Sequence, residues 1–228
     1  AKTCKDFFFF GQKQKKAFDK IFGPLNSFIT SGNPRTDMWQ ANCFGLFDQT
    51  TKEIKKKYSD FILLPLNFGY YTEEAIRNDK AYNKILAQKS EFLFDSFCKL
   101  AEKFARKQKY NVIMRPHPTD DPKAIKGLIK KHGVKSDLVH CINSYDVFPW
   151  ISAARVLLHN CCTTSLEAGF CGTQVITYAP SNTSLLKEDD VNKLFPIAKT
   201  YDEVLTLISQ SENFDKNISC FKSKVENW

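Results

Sequence analysis

The chain has 228 residues, of which 43% are hydrophobic and 20 are phenylalanine, so it can build a large core and is not expected to be disordered. No stretch predicts a transmembrane helix, because the longest charge-free run, residues 168–186, contains Gly, Thr, Gln, Asn, Pro and Ser throughout. The formal net charge of +8 favours anionic partners such as nucleotides, acidic glycans or lipid head groups, although a solvated lysine coat explains most of it.

Residues 1–59 are less regular than the rest of the chain. They predict a strand at residues 5–10, a helix at 12–21, a second strand at 27–30 and a dense turn at 31–37. The apolar run at residues 7–10 is too short for a signal peptide. Since the sequence starts at Ala1 and enters a strand almost at once, we expect an incomplete protein. Residues 1–59 would be the tail of one domain and residues 60–228 a second domain.

From residue 60 onward, strand and helix patterns alternate. The predicted strands lie at residues 61–68, 112–114, 137–142, 155–159 and 174–178. The predicted helices lie between and after them, at residues 84–107, 122–132, 147–154, 165–170 and 201–209. Short apolar strands separated by helices imply βαβ units, so the expected fold class is α/β with a parallel sheet.

The motif Arg115-Pro116-His117-Pro118 follows the predicted strand at 112–114. Ligands of parallel sheets bind beyond the carboxyl ends of the strands, so Arg115 and His117 are expected at the ligand edge. An arginine fork suits phosphate, and a histidine can donate to a phosphate oxygen or protonate a leaving group. The prolines restrict the backbone on both sides. The alternative is a rigid turn with a surface histidine.

A second polar motif follows the predicted strand at 155–159 and opens a helix. It contains three consecutive hydroxyl residues, Thr163, Thr164 and Ser165. They can present hydroxyls and backbone N–H groups to a phosphate, while Glu167 is close enough to bind a ribose diol. The alternative is a plain helix N-cap strengthened by Glu167. Gly169 and Gly172 leave room for close backbone approach.

The two motifs together indicate a nucleotide site. Both loops face an anion, and we expect them on neighbouring strands of one sheet, sharing a single phosphate. The sequence has no Gly-x-Gly-x-x-Gly for a dinucleotide cofactor and no Gly-x-x-x-x-Gly-Lys for a P-loop. It also lacks an RNP-like or helix-turn-helix pattern, so no nucleic-acid partner is expected.

The eight cysteines point to reduced thiols, because no secretion signal accompanies them. Cys161 and Cys162 are adjacent, and Cys141, His159 and Cys171 are near in sequence, so a zinc site is one alternative. However, no pair has the spacing of structural zinc ligands. We therefore expect small buried hydrophobic residues and no metal.

The sequence resembles a known family in four places. Residues 157–180 contain Thr-Thr-Ser-Leu-Glu-Ala-Gly-Phe-Cys-Gly-Thr-Gln-Val-Ile and resemble the nucleotide-binding half of GT-B glycosyltransferases. With Arg-Pro-His-Pro, Ser-Gly-Asn-Pro-Arg-Thr-Asp and Leu-Pro-Leu-Asn-Phe-Gly, the chain resembles the bacterial surface carbohydrate biosynthesis family over about residues 5–210. That family is related to CMP-sugar transferases and CDP-glycerol glycerophosphotransferases. The resemblance implies the C-terminal Rossmann-like half of a GT-B fold with a remnant of the N-terminal domain.

The resemblance also implies roles for individual residues. His117 would be catalytic and would contact the donor phosphate, and Glu167 would bind the ribose. The other implied phosphate-binding residues are Thr163, Thr164 and Ser165, and Arg115 joins them from the residue pattern described above. Asn33 and Arg35 would line the cleft, with a tight inter-domain turn as the alternative and Asp37 as an acidic candidate nearby; Asn160, from the second polar motif, is a further candidate for the cleft. Residues 146–150 would hold the base, or would simply be an apolar helix start. No cofactor is implied.

The activity implied is sugar transfer from a nucleotide donor, a CMP-sugar among the candidates, to a surface polysaccharide. The partners would be a nucleotide-sugar and a glycan or lipid-linked glycan acceptor. The location would be cytoplasmic, with peripheral contact at the inner membrane left open. The alternatives are a CDP-alditol phosphotransferase, a nucleotide-sugar epimerase, and a non-catalytic nucleotide- or glycan-binding module.

Overall fold

The structure is a computed structural model that describes residues 7–9, 12–23, 28–31, 45–67, 81–180, 190–210 and 221. The elements from the first strand to the central strand of the main sheet are β1 (Phe7–Phe9), α1 (Gln12–Phe22), β2 (Phe28–Thr30), α2 (Asp48–Tyr58) and β3 (Phe61–Pro65). The following elements are α3 (Ala81–Lys107), β4 (Asn111–Arg115), α4 (Pro122–Lys131), β5 (Val139–Cys141), α5 (Val147–Ala153) and β6 (Val156–His159). The last are α6 (Thr164–Phe170), β7 (Gln174–Tyr178), α7 (Asp190–Lys193), β8 (Ile197–Ala198) and α8 (Tyr201–Ser209).

Six strands form one parallel sheet in the order β5-β4-β3-β6-β7-β8, and β1 pairs separately with β2. From the central strand β3 the chain builds outward to β4 and β5. It then crosses back to the other side of β3 and adds β6, β7 and β8. This reversal creates a topological switch point between β3 and β6, where open α/β sheets bind ligands. The predicted α/β class with a parallel sheet is confirmed.

The central strands are buried on both faces, which explains their continuous apolar sequence. Side chains alternate along β3: Ile62 packs with the phenylalanines of α3 on one face, and Phe61 packs with Trp150 of α5 on the other. Both are fully buried. The sheet is therefore a rigid layer between two helical layers, and its strand ends are fixed in position.

Some boundaries differ from the predicted ones. The strand expected at 61–68 ends at Pro65, and the one expected at 137–142 is only Val139–Cys141. α2 was not predicted, because its only buried side chains are Ile54 and Tyr58 among many lysines and polar residues. α2 precedes residue 60 but packs against α5. None of the helices in the described ranges is long and apolar enough to cross a membrane.

Candidate functional site

A cavity of about 500 Å³ lies at the carboxyl edge of the sheet, at the switch point. Segments that follow four strands line it. These residues are Pro65, Leu66 and Asn67 at the end of β3, Arg115, Pro116, His117 and Pro118 at the end of β4, Asn143, Tyr145, Asp146 and Val147 after β5, and Cys162, Thr163, Thr164 and Glu167 after β6. Both predicted motifs therefore share one cavity. The expectation that they follow neighbouring strands is wrong, because β3 lies between β4 and β6.

Arg115 ends β4 and is only 8% exposed. Its Nη1 donates to the carbonyl oxygen of Ser144 at 2.8 Å, and its Nη2 donates to that of Tyr145 at 2.6 Å. Burial lowers the pKa of Arg115 below its usual value, and the Asp146 carboxylate partly offsets this, but a guanidinium stays charged at neutral pH. Arg115 thus brings positive charge to the cavity and also fixes the loop after β5.

His117 lies between two prolines, in a turn that hydrogen bonds to Asp120 hold in place. Its backbone N–H donates to Oδ2 of Asp120 at 2.9 Å, and its carbonyl oxygen accepts from the N–H of Asp120 at 2.9 Å. The ring nitrogen Nδ1 accepts from the N–H of Thr119 at 3.3 Å and lies 2.7 Å from its Oγ1. A neutral ring with Nδ1 as an acceptor carries its proton on Nε2. The exposed side chain therefore offers an Nε2–H donor.

The loop after β6 places two of the three predicted hydroxyl residues at the cavity. Thr163 is the N-cap of α6 but makes no side-chain capping hydrogen bond, so the plain N-cap alternative does not describe its hydroxyl. Thr164 and Glu167 follow in the first turn and also line the cavity. The prediction that Ser165 binds the phosphate is wrong. Its side chain is fully buried, and its Oγ donates to the carbonyl oxygen of Cys162 at 2.6 Å.

None of the residues predicted to line the cleft is found in the cavity among the described residues. Asn160 is buried and points away from the cavity, since its Nδ2 donates to the carbonyl oxygen of Tyr178 in β7 at 2.8 Å. Its expected place in the cleft is therefore wrong. Asn33, Arg35 and Asp37 lie outside the described residues.

The segment predicted to hold a base has a mixed role. Asp146 caps α5, because its Oδ1 accepts from the N–H of Phe148 at 3.0 Å, and it also lines the cavity with Val147. Phe148 and Trp150 are buried in the core, as the alternative of an apolar helix start expected. Only the first two residues of this segment can therefore meet a ligand.

Of the five cysteines in the described ranges, Cys98, Cys162 and Cys171 are buried as expected, whereas Cys141 and Cys161 are partly buried. Burial raises the pKa of Cys98 and Cys171 to about 12 and that of Cys141 to about 11, so these thiols are protonated at neutral pH. His159 is fully buried and its Nε2 lies 3.1 Å from Oγ1 of Thr177. Among the described residues, no group of three or more His, Cys, Asp or Glu side chains could hold a metal ion.

Three polar residues of the cavity were not predicted: Asn67, Asn143 and Tyr145. Asn67 donates from Nδ2 to the carbonyl oxygen of Cys161 at 2.9 Å, which links the ends of β3 and β6 across the switch point. Tyr145 is 60% exposed and has a φ angle of 60°. The strand-end rule that singled out Arg115 applies equally to Asn67 and Asn143, and Asn67 also lies in the Leu-Pro-Leu-Asn-Phe-Gly motif, so both signals were available.

Gly169 in α6 serves packing inside the protein. A Cβ added at Gly169 would lie 2.8 Å from ring atoms of Phe221. That ring is 4% exposed, stacks on Phe195 at 5.3 Å between centroids and meets Phe170 edge-on at 5.0 Å. The close approach expected at Gly169 is therefore made by an aromatic ring.

Replacing Gly169 by alanine should destabilise the fold by about 1–3 kcal/mol, because the confined Phe221 ring has to move. Chemical denaturation of the wild type and Gly169→Ala measures this difference. Gly127→Ala in α4 is the matched control: nothing lies within 4 Å of its added Cβ, and the helix gains about 0.5–1 kcal/mol. Equal effects of the two substitutions would contradict the packing role of Gly169.

Comparison with known proteins gives the fold. No protein-family model matches the sequence, and no curated protein matches it. UDP-GlcNAc 2-epimerase from Neisseria meningitidis, bound to UDP-GlcNAc, matches with a TM-score of 0.53 and 13% identity over 95% of this chain and 55% of that one. The wall teichoic acid polymerase TagF matches with a TM-score of 0.53 and 13% identity over 98% of this chain and 52% of that one.

A TagF variant soaked with CDPG also matches, with a TM-score of 0.53 and 13% identity over 98% of this chain and 50% of that one. The chain has a GT-B-type Rossmann-like fold. It spans about half the length of the structures that it matches. At this level of identity the likeness shows the fold alone, and the predicted fold class is confirmed.

Proposed function

We propose that the chain is the nucleotide-donor-binding part of a GT-B-type transferase that moves a sugar from a nucleotide donor to a surface polysaccharide. The observation that carries the proposal is the shared cavity at the switch point, where His117 on one side and Thr163 and Thr164 on the other line the same space. Such crevices are where open α/β sheets bind nucleotides.

The donor phosphate would be bound by uncharged and charged donors together. His117 offers its Nε2–H, the two threonines offer hydroxyls, and the Arg115 guanidinium adds positive charge from a largely desolvated position. Donors arranged in advance around a developing negative charge stabilise the transition state. As the nucleotide departs, His117 would hold or protonate its phosphate oxygen, and Glu167 would bind the ribose hydroxyls. No metal ion is needed in this scheme.

The matched structures support a nucleotide ligand, since one is bound to UDP-GlcNAc and another was soaked with CDPG. The polymerase match gives particular weight to the second candidate, transfer of an alditol phosphate from a CDP-alditol. An epimerase would turn over its nucleotide-sugar with no acceptor present, whereas either transferase needs a glycan or lipid-linked acceptor. A non-catalytic module would bind the nucleotide and turn over nothing.

The experiment that tests the proposal is a calorimetric titration of CMP, CDP, UDP and GDP, without metal, on the wild type and His117→Ala. One nucleotide should bind the wild type, and the variant should lose about tenfold or more in affinity because the Nε2–H donor is gone. His132→Ala is the matched control: His132 pairs with Asp95 at 3.1 Å and does not line the cavity. The base that binds best indicates the donor class.

Two results would count against the proposal. If no nucleotide binds the wild type, this chain does not form a donor site by itself. If His117→Ala binds as tightly as the wild type, the Arg-Pro-His-Pro segment is only a rigid turn.

A further inference from the structure

The loop between β6 and α6 contains a residue in a conformation that residues with a side chain rarely adopt. Cys161 has a φ angle of 55°, in the left-handed region, where Cβ crowds the following carbonyl oxygen. Such a conformation persists only where the surroundings determine it. Because Cys162, Thr163 and Thr164 follow directly and line the cavity, the contacts of Cys161 decide where these residues lie.

Two asparagine side chains hold Cys161, one from each side of β6. The N–H of Cys161 donates to Oδ1 of Asn192 at 2.8 Å, and Nδ2 of Asn192 lies 3.2 Å from its Sγ. The carbonyl oxygen of Cys161 accepts from Nδ2 of Asn67 at 2.9 Å. Since the N–H can only donate, it requires the amide oxygen of Asn192 to face it, which fixes the orientation of that amide. The backbone of Cys161 is thus bonded at both its polar groups.

Asn192 is itself fixed by the next strand. Its carbonyl oxygen accepts from Oγ1 of Thr177 at 3.0 Å, and Thr177 is buried in β7 opposite His159. Asn192 does not line the cavity, so its side chain reaches a ligand only through the loop. Asn67 does line the cavity and can contact a ligand directly. A substitution of Asn192 therefore tests the positioning of the loop without removing a direct contact to the ligand.

We infer that Asn192 is a positioning residue of the donor site: through Cys161 it holds the loop after β6 so that Thr163 and Thr164 present their hydroxyls to the donor phosphate. The ligand in this statement rests on the proposed function, whereas the hold on the loop does not. Residues of α7, which follows β7, thereby control the shape of one side of the cavity.

Amide hydrogen exchange and nucleotide titration of the full chain test the inference. Asn192→Leu keeps the branched shape of the side chain and removes both amide contacts, so exchange of the Cys161 amide should accelerate by about tenfold. Affinity for whichever of CMP, CDP, UDP or GDP the wild type binds should fall by about tenfold. Asn192→Asp keeps an acceptor for the Cys161 N–H and should restore most of the slow exchange.

The matched control is Asn111→Leu. Asn111 also donates from Nδ2 to a backbone carbonyl, that of Tyr58 at 2.9 Å, but at the amino end of β4, the edge of the sheet away from the cavity. This variant should lower the melting temperature without changing loop exchange or nucleotide affinity.

The remaining outcomes each decide a different point. Wild-type exchange in Asn192→Leu would overturn the inference, and so would accelerated exchange with unchanged affinity, because the loop would then not matter to the ligand. If the wild type binds no nucleotide, the proposed function fails, and the exchange data alone decide whether Asn192 holds the loop.

Discussion

Acid is expected to unfold this protein through His159, with roughly 4–5 kcal/mol of stability lost as the pH falls from 6.5 to about 3. Burial lowers the pKa of His159 from 6.5 to about 3. Between these values the unfolded chain binds a proton that the folded chain does not bind. The contribution of His159 to stability is therefore full above pH 6.5 and decreases continuously below it, by about 1.4 kcal/mol per pH unit.

The geometry around His159 explains why the folded state rejects this proton. Oγ1 of Thr177 donates to the carbonyl oxygen of Asn192 at 3.0 Å, so it can only accept from Nε2–H of His159. Nδ1 is buried and has no hydrogen-bond partner among the described residues. A proton on Nδ1 would create a buried charge with no acceptor, and the edge-on ring of Phe195 at 5.5 Å offers none.

Denaturant unfolding at a series of pH values between neutrality and the acid range measures this effect. His159→Gln keeps a donor for Thr177 and removes the titrating group. The difference in bound protons between its unfolded and folded states should therefore be smaller by up to one, which lowers the slope of its unfolding free energy against pH. Thr177→Val is the matched control: it should lower stability by about 1 kcal/mol at every pH and leave the slope unchanged, since burial sets the shift. A wild-type slope in His159→Gln would contradict the assignment.

Replacing Arg115 by methionine is expected to cost roughly 2–3 kcal/mol of stability and to weaken nucleotide binding as well. The substitution removes two charge-assisted hydrogen bonds, to the carbonyl oxygens of Ser144 and Tyr145. Both residues are exposed, so water can replace part of what is lost. The loop after β5 would then lose its side-chain tie to β4 and keep only the backbone bond from Ile142 to Met114, so one side of the cavity would be held less firmly.

Chemical denaturation and nucleotide titration of the same preparations separate the two effects. Arg155→Met is the matched control, because Arg155 is partly exposed and its 3.3 Å pair with exposed Asp60 is worth less than about 1 kcal/mol. Arg115→Lys should lie between the wild type and Arg115→Met, since one ammonium group cannot reproduce a planar fork. Equal losses of stability and of affinity in Arg115→Met and Arg155→Met would contradict a specific role for the buried hydrogen bonds of Arg115.

The parts of the site that the sequence predicted are those that depend on strand ends. Arg115 ends one strand, and His117 and Thr163 lie within four residues of a strand end; the apolar runs of these strands are easy to recognise, and the carboxyl ends of parallel strands share one edge. The strand order could not be predicted in the same way. β3 lies between β4 and β6 because of long-range pairing, which local sequence patterns do not encode.

Side-chain direction explains the remaining differences. Ser165 has the same chemistry as Thr163 but lies on the face of α6 that is turned to the core, so its hydroxyl bonds to Cys162. Asn160 comes directly after β6, where its amide turns toward β7. Residue type suggests what a side chain can bind, whereas the surrounding packing decides which way it points.

The return of the chain across β3 also affects its synthesis. Asn67 and Cys161 meet across the switch point although 94 residues separate them. Until those residues have been made, the apolar central strand presents one open edge that has no partner. At ribosomal speeds of about 5–20 residues per second, this interval lasts on the order of 5–20 s. We expect nascent chains to be most exposed to aggregation during that interval.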